Sequence, residues 1–224
     1  MKNLSKELAK IIAYDDPNQS IDELLDLEKK YPMNIEIKQF ASLCYRKLDD
    51  NTNALKKLLD ALEIQPLNHT VNFNLGQLYK QFKKYDHATN YYINSVKFNP
   101  EFEQGINTLG DIFFNKKDFD QSISYYKRSI DLNKSKNNVF AMFRLGLCFF
   151  EKANISKSIE EKKSAVKYFE MAYEAKPEEV SIQRNLIGIY NIYGMKEKAV
   201  HLSKKVDGVF DINTSKKEIK ITYS

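Results

Sequence analysis

The chain repeats a pattern of residue types every 34 positions, and this repetition constrains the fold more than any other feature. A shift of 34 positions superposes similar residues: Leu75 on Leu109, Gly76 on Gly110, Tyr79 on Phe113, Tyr85 on Phe119, Ala88 on Ser122, Tyr92 on Tyr126 and Ser95 on Ser129. The same shift backwards keeps Tyr45, Ala54, Leu58, Ala61 and Pro66 in register. A repeat this short buries too little surface alone, so neighbouring repeats must cover each other's apolar faces.

The composition of the repeat indicates two packed helices. Only seven glycines and five prolines interrupt 224 residues, which favours long helices. Two helices approach closely where one has almost no side chain, and Gly76 is such a place. We expect Tyr79, Tyr85 and Tyr92 to fill the space around it, as large residues against small ones.

The boundaries of the helices are also predicted. Asn18, Asp86 and Asp120 precede helical patterns and are expected to be N-caps. Four prolines are expected to end the second helix of a repeat: Pro32, Pro66, Pro100 and Pro177.

The repeats divide almost the whole chain. The predicted segments are 1–34, 35–68, 69–102, 103–138, 139–179 and 180–207, followed by a tail, 208–224. The first repeat is degenerate, and Ile187 replaces the glycine in the sixth. In the fifth, Gly146 and Ala165 are nineteen residues apart where other repeats have twelve, so seven residues are inserted.

These residues resemble the tetratricopeptide repeat (TPR) family, in which small and aromatic residues occupy these places in a unit of 34. The resemblance covers about residues 1–207. It implies an all-α, right-handed superhelical solenoid of about six helix hairpins, whose concave groove is lined by the first helix of each repeat. TPR arrays commonly bind extended peptides or helices of partner proteins in this groove.

The family's groove positions can be carried over residue by residue. They fall on Phe73, Asn74, Gln77, Asn107, Thr108, Asp111, Phe114, Phe143, Arg144, Phe150, Arg184 and Asn185. Amides could hydrogen-bond a peptide backbone while rings take its side chains; alternatively, some of these residues are solvated or pack between helices. We expect Asn74, Asn107 and Arg144 to contribute to binding and not to stability.

Some family members hold the C-terminal tails of chaperones with a clamp of Lys, Asn and Arg residues. If the clamp starts at the second repeat, its positions fall on Gln39, Leu43, Asn74, Gln104 and Thr108. If it starts at the third repeat, they fall on Phe73, Gln77, Thr108, Phe140 and Arg144. Neither set forms the clamp, so chaperone-tail docking is not expected.

The insertion and the tail depart from the repeat. Ser158 with Glu161 resembles a capping box, so a second helix should begin early and project. The insertion is either a simple extension or a docking knob. The tail has two short apolar runs around "NTSKK", which predict an extended or β-like segment that caps the last repeat or pairs with another chain.

Charge and cysteine content restrict the functional classes. The net charge of +5 is spread without a basic block, which argues against a nucleic-acid binder. The N-terminus has no signal peptide or membrane span, so membrane insertion is not expected. The cysteines, Cys44 and Cys148, form no disulfide framework, which fits the cytoplasm.

The sequence predicts no enzyme, cofactor or metal site. His69, His87 and His201 lack ligand spacing, and the glycines belong to helices rather than to a phosphate loop. The leading hypothesis is a scaffold that binds a peptide or helix of a partner protein in its groove. The alternatives are a self-associating structural protein, including a homo-oligomer, and an accessory module of a larger complex or enzyme.

Overall fold

The computed structural model describes residues 2–14, 16–132 and 138–205. These ranges contain twelve α-helices: α1 (Lys2–Ile12), α2 (Pro17–Lys30), α3 (Ile35–Lys47), α4 (Asn51–Ile64), α5 (His69–Gln81), α6 (Tyr85–Phe98), α7 (Glu103–Asn115), α8 (Phe119–Leu132), α9 (Val139–Ser156), α10 (Ile159–Ala175), α11 (Val180–Ile192) and α12 (Lys196–Lys205). No strand occurs within these ranges. The prediction of an all-α fold of helix hairpins is confirmed. The predicted extended tail, 208–224, lies outside the described residues.

The chain divides into two compact parts, and the division falls within α7. The N-terminal part extends to Gly105, and the C-terminal part begins at Ile106. In the N-terminal part, buried aliphatic residues such as Leu24, Ile37 and Leu58 form the core between successive helices. In the C-terminal part, Leu145 and Phe169 are fully buried.

The mid-helix glycines pack against aromatic rings of the following helix, as predicted. A Cβ atom added at Gly76 would lie 2.7 Å from the Tyr92 ring, and one at Gly110 would lie 2.7 Å from the Tyr126 ring. Both tyrosines are buried. The prediction for Tyr85 was wrong, because its side chain is 59% exposed and does not fill this space.

The three predicted N-caps were wrong, because in each case an earlier residue precedes the helix. The α2 cap is Asp16, whose carboxylate accepts from the backbone N–H of Asn18. At α8, Asp118 accepts from the N–H of Gln121, so Asp120 lies inside the helix. The α6 cap is Lys84, which makes no side-chain capping bond, and Asp86 lies in the first turn. Acidic residues there still interact favourably with the helix dipole.

The helix ends predicted from proline are confirmed. Pro32, Pro66, Pro100 and Pro177 each lie two residues beyond the end of α2, α4, α6 and α10. A proline at this position cannot continue the helix, because its ring fixes φ and removes the backbone donor.

The inserted residues lengthen both helices of the fifth hairpin. The helices α9 and α10 have 18 and 17 residues, compared with 13 and 14 in α5 and α6. Ser158 caps α10 and accepts from the N–H of Glu161, as predicted. The extension of α9 was not predicted. Lys157 joins the helices in a left-handed conformation, with φ of 59°.

A largely buried ion triad links α2, α3 and α4. Lys38 Nζ and Lys57 Nζ each donate to a different oxygen of Glu28, at 2.5 Å. The three side chains are at most 14% exposed. Burial alone would raise the pKa of Glu28, but the hydrogen bonds and charges of the two lysines outweigh it and lower this pKa below its ordinary value.

We expect the glycine contacts to differ in their tolerance of a side chain. Gly110→Val should lower the free energy of unfolding by about 1–3 kcal/mol, because Tyr126 is too buried to move aside. Gly146→Ala should cost less, because alanine adds a single methyl group whose carbon would lie 3.0 Å from the Phe169 ring, and it regains about 1 kcal/mol of helix propensity. Urea denaturation followed by circular dichroism measures both variants, and equal losses would contradict this account.

The Glu28 triad should make stability depend on pH. Because folding lowers the pKa of Glu28, its contribution is present above the unfolded value, near 4.5, and is lost as the pH falls through the folded value. Glu28→Gln should cost about 1–3 kcal/mol at pH 7, because one buried and one partly buried lysine lose their carboxylate. It should also flatten the decline in stability between pH 5 and pH 3 in urea titrations.

The matched control is Asp26→Asn on the same helix. Asp26 pairs with Lys29 at the surface, where screening makes ion pairs weak, so little change in stability is expected at pH 7. Similar losses for the two variants would show that the triad has no special role.

Candidate functional site

Two of the predicted groove residues line a pocket in the N-terminal part. The pocket has a volume of about 390 Å³ and lies between the first helices of the second and third hairpins. We call it the α3–α5 pocket. Its lining residues are Glu36, Gln39, Phe40, Ser42, Leu43 and Arg46 from α3, with Thr70, Asn74 and Gln77 from α5.

Helical spacing explains why these residues share one surface. On α3, Glu36, Gln39 or Phe40, and Leu43 follow one another at intervals of three or four residues, which places them on one helix face. On α5, Thr70, Asn74 and Gln77 have the same spacing. The opposite faces of both helices carry the buried aliphatic residues of the core.

Amide side chains connect the two helices across the pocket. Asn74 Nδ2 donates to Gln39 Oε1 at 2.9 Å. Arg46 Nη1 donates to Gln77 Oε1 at 3.0 Å, and Arg46 Nε donates to Gln81 Oε1 at 2.8 Å. Burial lowers the pKa of Arg46, yet a guanidinium remains charged in proteins. These bonds fix the polar side chains in place before any ligand binds.

Apolar and buried polar groups complete the pocket. Leu43 is 43% exposed, and Phe40 is partly buried beside it. Ser42 is only 2% exposed, and its hydroxyl has no hydrogen-bond partner among the described residues. The pocket therefore combines an exposed apolar patch with polar groups whose bonding capacity is not exhausted.

The 34-residue repeat already indicated several of the pocket residues on α3. A shift of 34 positions back from Phe73, Asn74 and Gln77 gives Gln39, Phe40 and Leu43, so extending the groove by one repeat would have found them. Arg46 lies 68 positions, or two repeats, before the predicted groove residue Phe114, so the same extension would have found it, whereas its hydrogen bonds to α5 are visible only in the structure.

In the C-terminal part, two predicted groove residues bind each other. Arg144 Nε lies 3.2 Å from Asp111 Oδ1, and the Tyr126 hydroxyl donates to the same oxygen at 2.6 Å. Burial, supported by the nearby carboxylate, raises the pKa of Tyr126 well above its ordinary value. The Arg144 guanidinium also lies 5.3 Å from the centre of the Phe140 ring. Both residues thus have structural partners, so the expectation that Arg144 affects binding alone is less well supported.

Three predicted groove residues lie in the core and do not line a surface. Phe73 packs against the rings of Tyr92 and Phe102, with centroids 5.3 and 5.1 Å away. Phe150 belongs to the core around Leu186. Asn185 is buried, and its Nδ2 donates to the carbonyl of Ser181 at 2.7 Å. Neighbouring rings and the local backbone occupy the space that a ligand would need.

The remaining five predicted residues have intermediate or exposed positions. Phe114 and Phe143 are partly buried against Phe119 and Phe169. Asn107 and Thr108 are partly exposed on α7, and Arg184 is exposed on α11. None of these five residues lines the α3–α5 pocket.

Neither of the two cysteines is an activated nucleophile. Burial raises the pKa of the Cys148 thiol to about 12 and also raises that of Cys44, so both are protonated at neutral pH. In the described ranges, His, Cys, Asp and Glu side chains form no group of three suited to a metal ion. None of the helices described here has the length and apolar character needed to span a lipid bilayer.

In the third, fourth and fifth hairpins, an aromatic ring of the second helix packs on a glycine of the first helix. This packing is typical of all-α proteins built from repeated helix hairpins. The family model named tetratricopeptide repeat matches residues 69–102 and 104–136, which are the third and fourth hairpins. The predicted resemblance to the tetratricopeptide repeat family is therefore confirmed, and residues 69–102 and 104–136 carry two such repeats. Proteins with this fold generally act as non-catalytic scaffolds that bind protein partners.

Solved structures support the fold assignment. The chain is similar to PilF of Pseudomonas aeruginosa, with a TM-score of 0.72, 14% identity, and coverage of 90% of this chain and 89% of that one. It is also similar to a TPR protein of Parabacteroides merdae, with a TM-score of 0.69, 16% identity, and coverage of 92% and 78%. For YrrB, the TM-score is 0.63, the identity 19% and the coverage 81% and 89%. Identities this low establish a common fold alone. No curated protein sequence matches the chain significantly.

Proposed function

We propose that this protein is a non-enzymatic scaffold that binds an extended segment of a partner protein in the α3–α5 pocket. The observation that carries the proposal is the pocket itself, because it joins the first helices of two adjacent hairpins and contains Asn74 and Gln77. A volume of about 390 Å³ is in the range of pockets that enclose several ligand groups.

The chemistry of the lining suits a peptide. An extended backbone presents an N–H and a C=O at every residue, and an amide side chain can serve both. Asn74 uses one Nδ2 hydrogen to bind Gln39, so its Oδ1 and its second hydrogen remain for a ligand. Leu43 and Phe40 provide an apolar contact for one partner side chain. The fold relative YrrB is described as a TPR protein with an unusual peptide-binding site, which agrees with this role.

We expect a double substitution in the pocket to abolish partner binding. Leu43→Ser with Asn74→Ala removes the apolar patch and one backbone-binding amide, while both side chains lie at the surface of the fold. The measurement is affinity capture from native lysate by the full chain, with retained proteins identified by mass spectrometry. A partner kept by the wild type should be lost by this variant.

The matched control is Leu59→Ser with Asn90→Ala. These residues are of the same types and are exposed on the second helices α4 and α6, outside the pocket. The control should retain the partner. Equal retention by both double variants would place binding elsewhere and would contradict the proposal.

A second candidate function, self-association, is favoured by the tip of the lengthened fifth hairpin. Ile155 is 71% exposed and Ile159 is 68% exposed, on either side of the short connection between α9 and α10. Contiguous exposed apolar patches are typical of contact surfaces, and these two isoleucines are among the most exposed large apolar residues described. A second copy of the chain is the simplest partner for this tip.

Under this second candidate, Ile155→Ser with Ile159→Ser should convert an oligomer into a monomer. The helices should be retained, because neither side chain contributes to the core. Light scattering coupled to size exclusion measures the molar mass of both proteins. A monomeric wild type would exclude self-association through the tip at the concentration tested.

A further inference from the structure

Arg46 has an unbalanced positive charge at one end of the α3–α5 pocket. Its two hydrogen bonds, to Gln77 and Gln81, are to neutral amides. It has no carboxylate within ion-pair distance in the described part of the chain. By contrast, Arg144 in the C-terminal part pairs with Asp111.

The geometry of the guanidinium leaves room for an anion. A guanidinium has five N–H donors, and Arg46 uses one on Nε and one on Nη1. The other three, including both on Nη2, remain for a ligand. Two parallel N–H groups match the two oxygens of a carboxylate, which is the strongest simple pairing available to arginine.

The opposite end of the pocket carries a negative charge. Glu36 lies in the first turn of α3 and Arg46 in the last, and ten residues of helix correspond to about 15 Å. An extended peptide covers this distance with about four or five residues. A partner segment therefore meets opposite charges at its two ends, which favours one direction and one charge pattern over others.

We propose that the α3–α5 pocket selects an extended partner segment with an internal Asp or Glu side chain, whose carboxylate is bound by Arg46. This inference rests on the proposed peptide-binding function. The carboxylate is assigned to a side chain rather than to a chain terminus because Gln81, one turn beyond Gln77 on α5, extends the row of amides past the pocket lining. A backbone that follows this row continues beyond Arg46 and does not end there.

The test is selection of peptides from a phage-displayed library of random dodecapeptides fused through their C-termini, so that no free carboxyl terminus is present. The full chain is immobilised as wild type and as Arg46→Glu, each checked for helicity by circular dichroism. The wild type should enrich Asp or Glu at one position. The Arg46→Glu protein should enrich Lys or Arg at that position. A synthetic selected peptide should lose about tenfold in affinity when its Glu is replaced by Gln.

The matched control is Lys47→Glu, which makes the same change in net charge at the neighbouring exposed position outside the pocket. It should select the same peptides as the wild type. Loss of the acidic preference in Lys47→Glu as well as in Arg46→Glu would indicate a general field effect and overturn the assignment to Arg46.

The outcomes separate this inference from the function on which it rests. Enriched peptides without an acidic position, lost on Leu43→Ser with Asn74→Ala, would overturn the inference and leave the proposed function standing. Enrichment only from a second library with free C-termini would assign the carboxylate to a chain terminus and also overturn it. Failure of the wild type to enrich any peptide from either library would overturn both.

Discussion

The contact between an aromatic ring and a glycine in the preceding helix sets the geometry of the hairpins. Tyr92 occupies the space of the absent side chain at Gly76, and Tyr126 does the same at Gly110. A side chain at either glycine would push the two helices apart. Because the rings take up the close contact on one face of the first helix, the opposite face is left at the surface. On α5, this face forms one side of the α3–α5 pocket.

The same packing explains which groove positions are accessible. Phe73 and Asn74 are adjacent in sequence, so about 100° of rotation around α5 separates their side chains. Phe73 points toward Tyr92 and Phe102 and is buried, whereas Asn74 reaches across to Gln39 at the surface. A repeat register taken from a family gives the position of both residues. The neighbouring rings decide which one a partner can reach.

Two arrangements of charge in the N-terminal part have different physical roles. Glu28 is surrounded by Lys38 and Lys57, and the three side chains satisfy one another inside the protein. Arg46 is instead held by neutral amides, which fix its position without neutralising it. The first arrangement stabilises the packing of α2, α3 and α4. The second leaves a charge available to a ligand, because an amide accepts a hydrogen bond but carries no net charge.

The sequence by itself determined the repeat length, the all-α fold, the helix ends at the prolines, the ring-on-glycine packing and the early start of α10. These features depend on residue types at regular intervals or, for α10, on a local capping pattern, both of which are visible without coordinates. The tertiary structure decided the N-caps, the burial of Phe73, Phe150 and Asn185, and the hydrogen bonds of Arg46 to α5. These depend on the distance and rotation between helices and on side-chain rotamers, which periodicity does not specify.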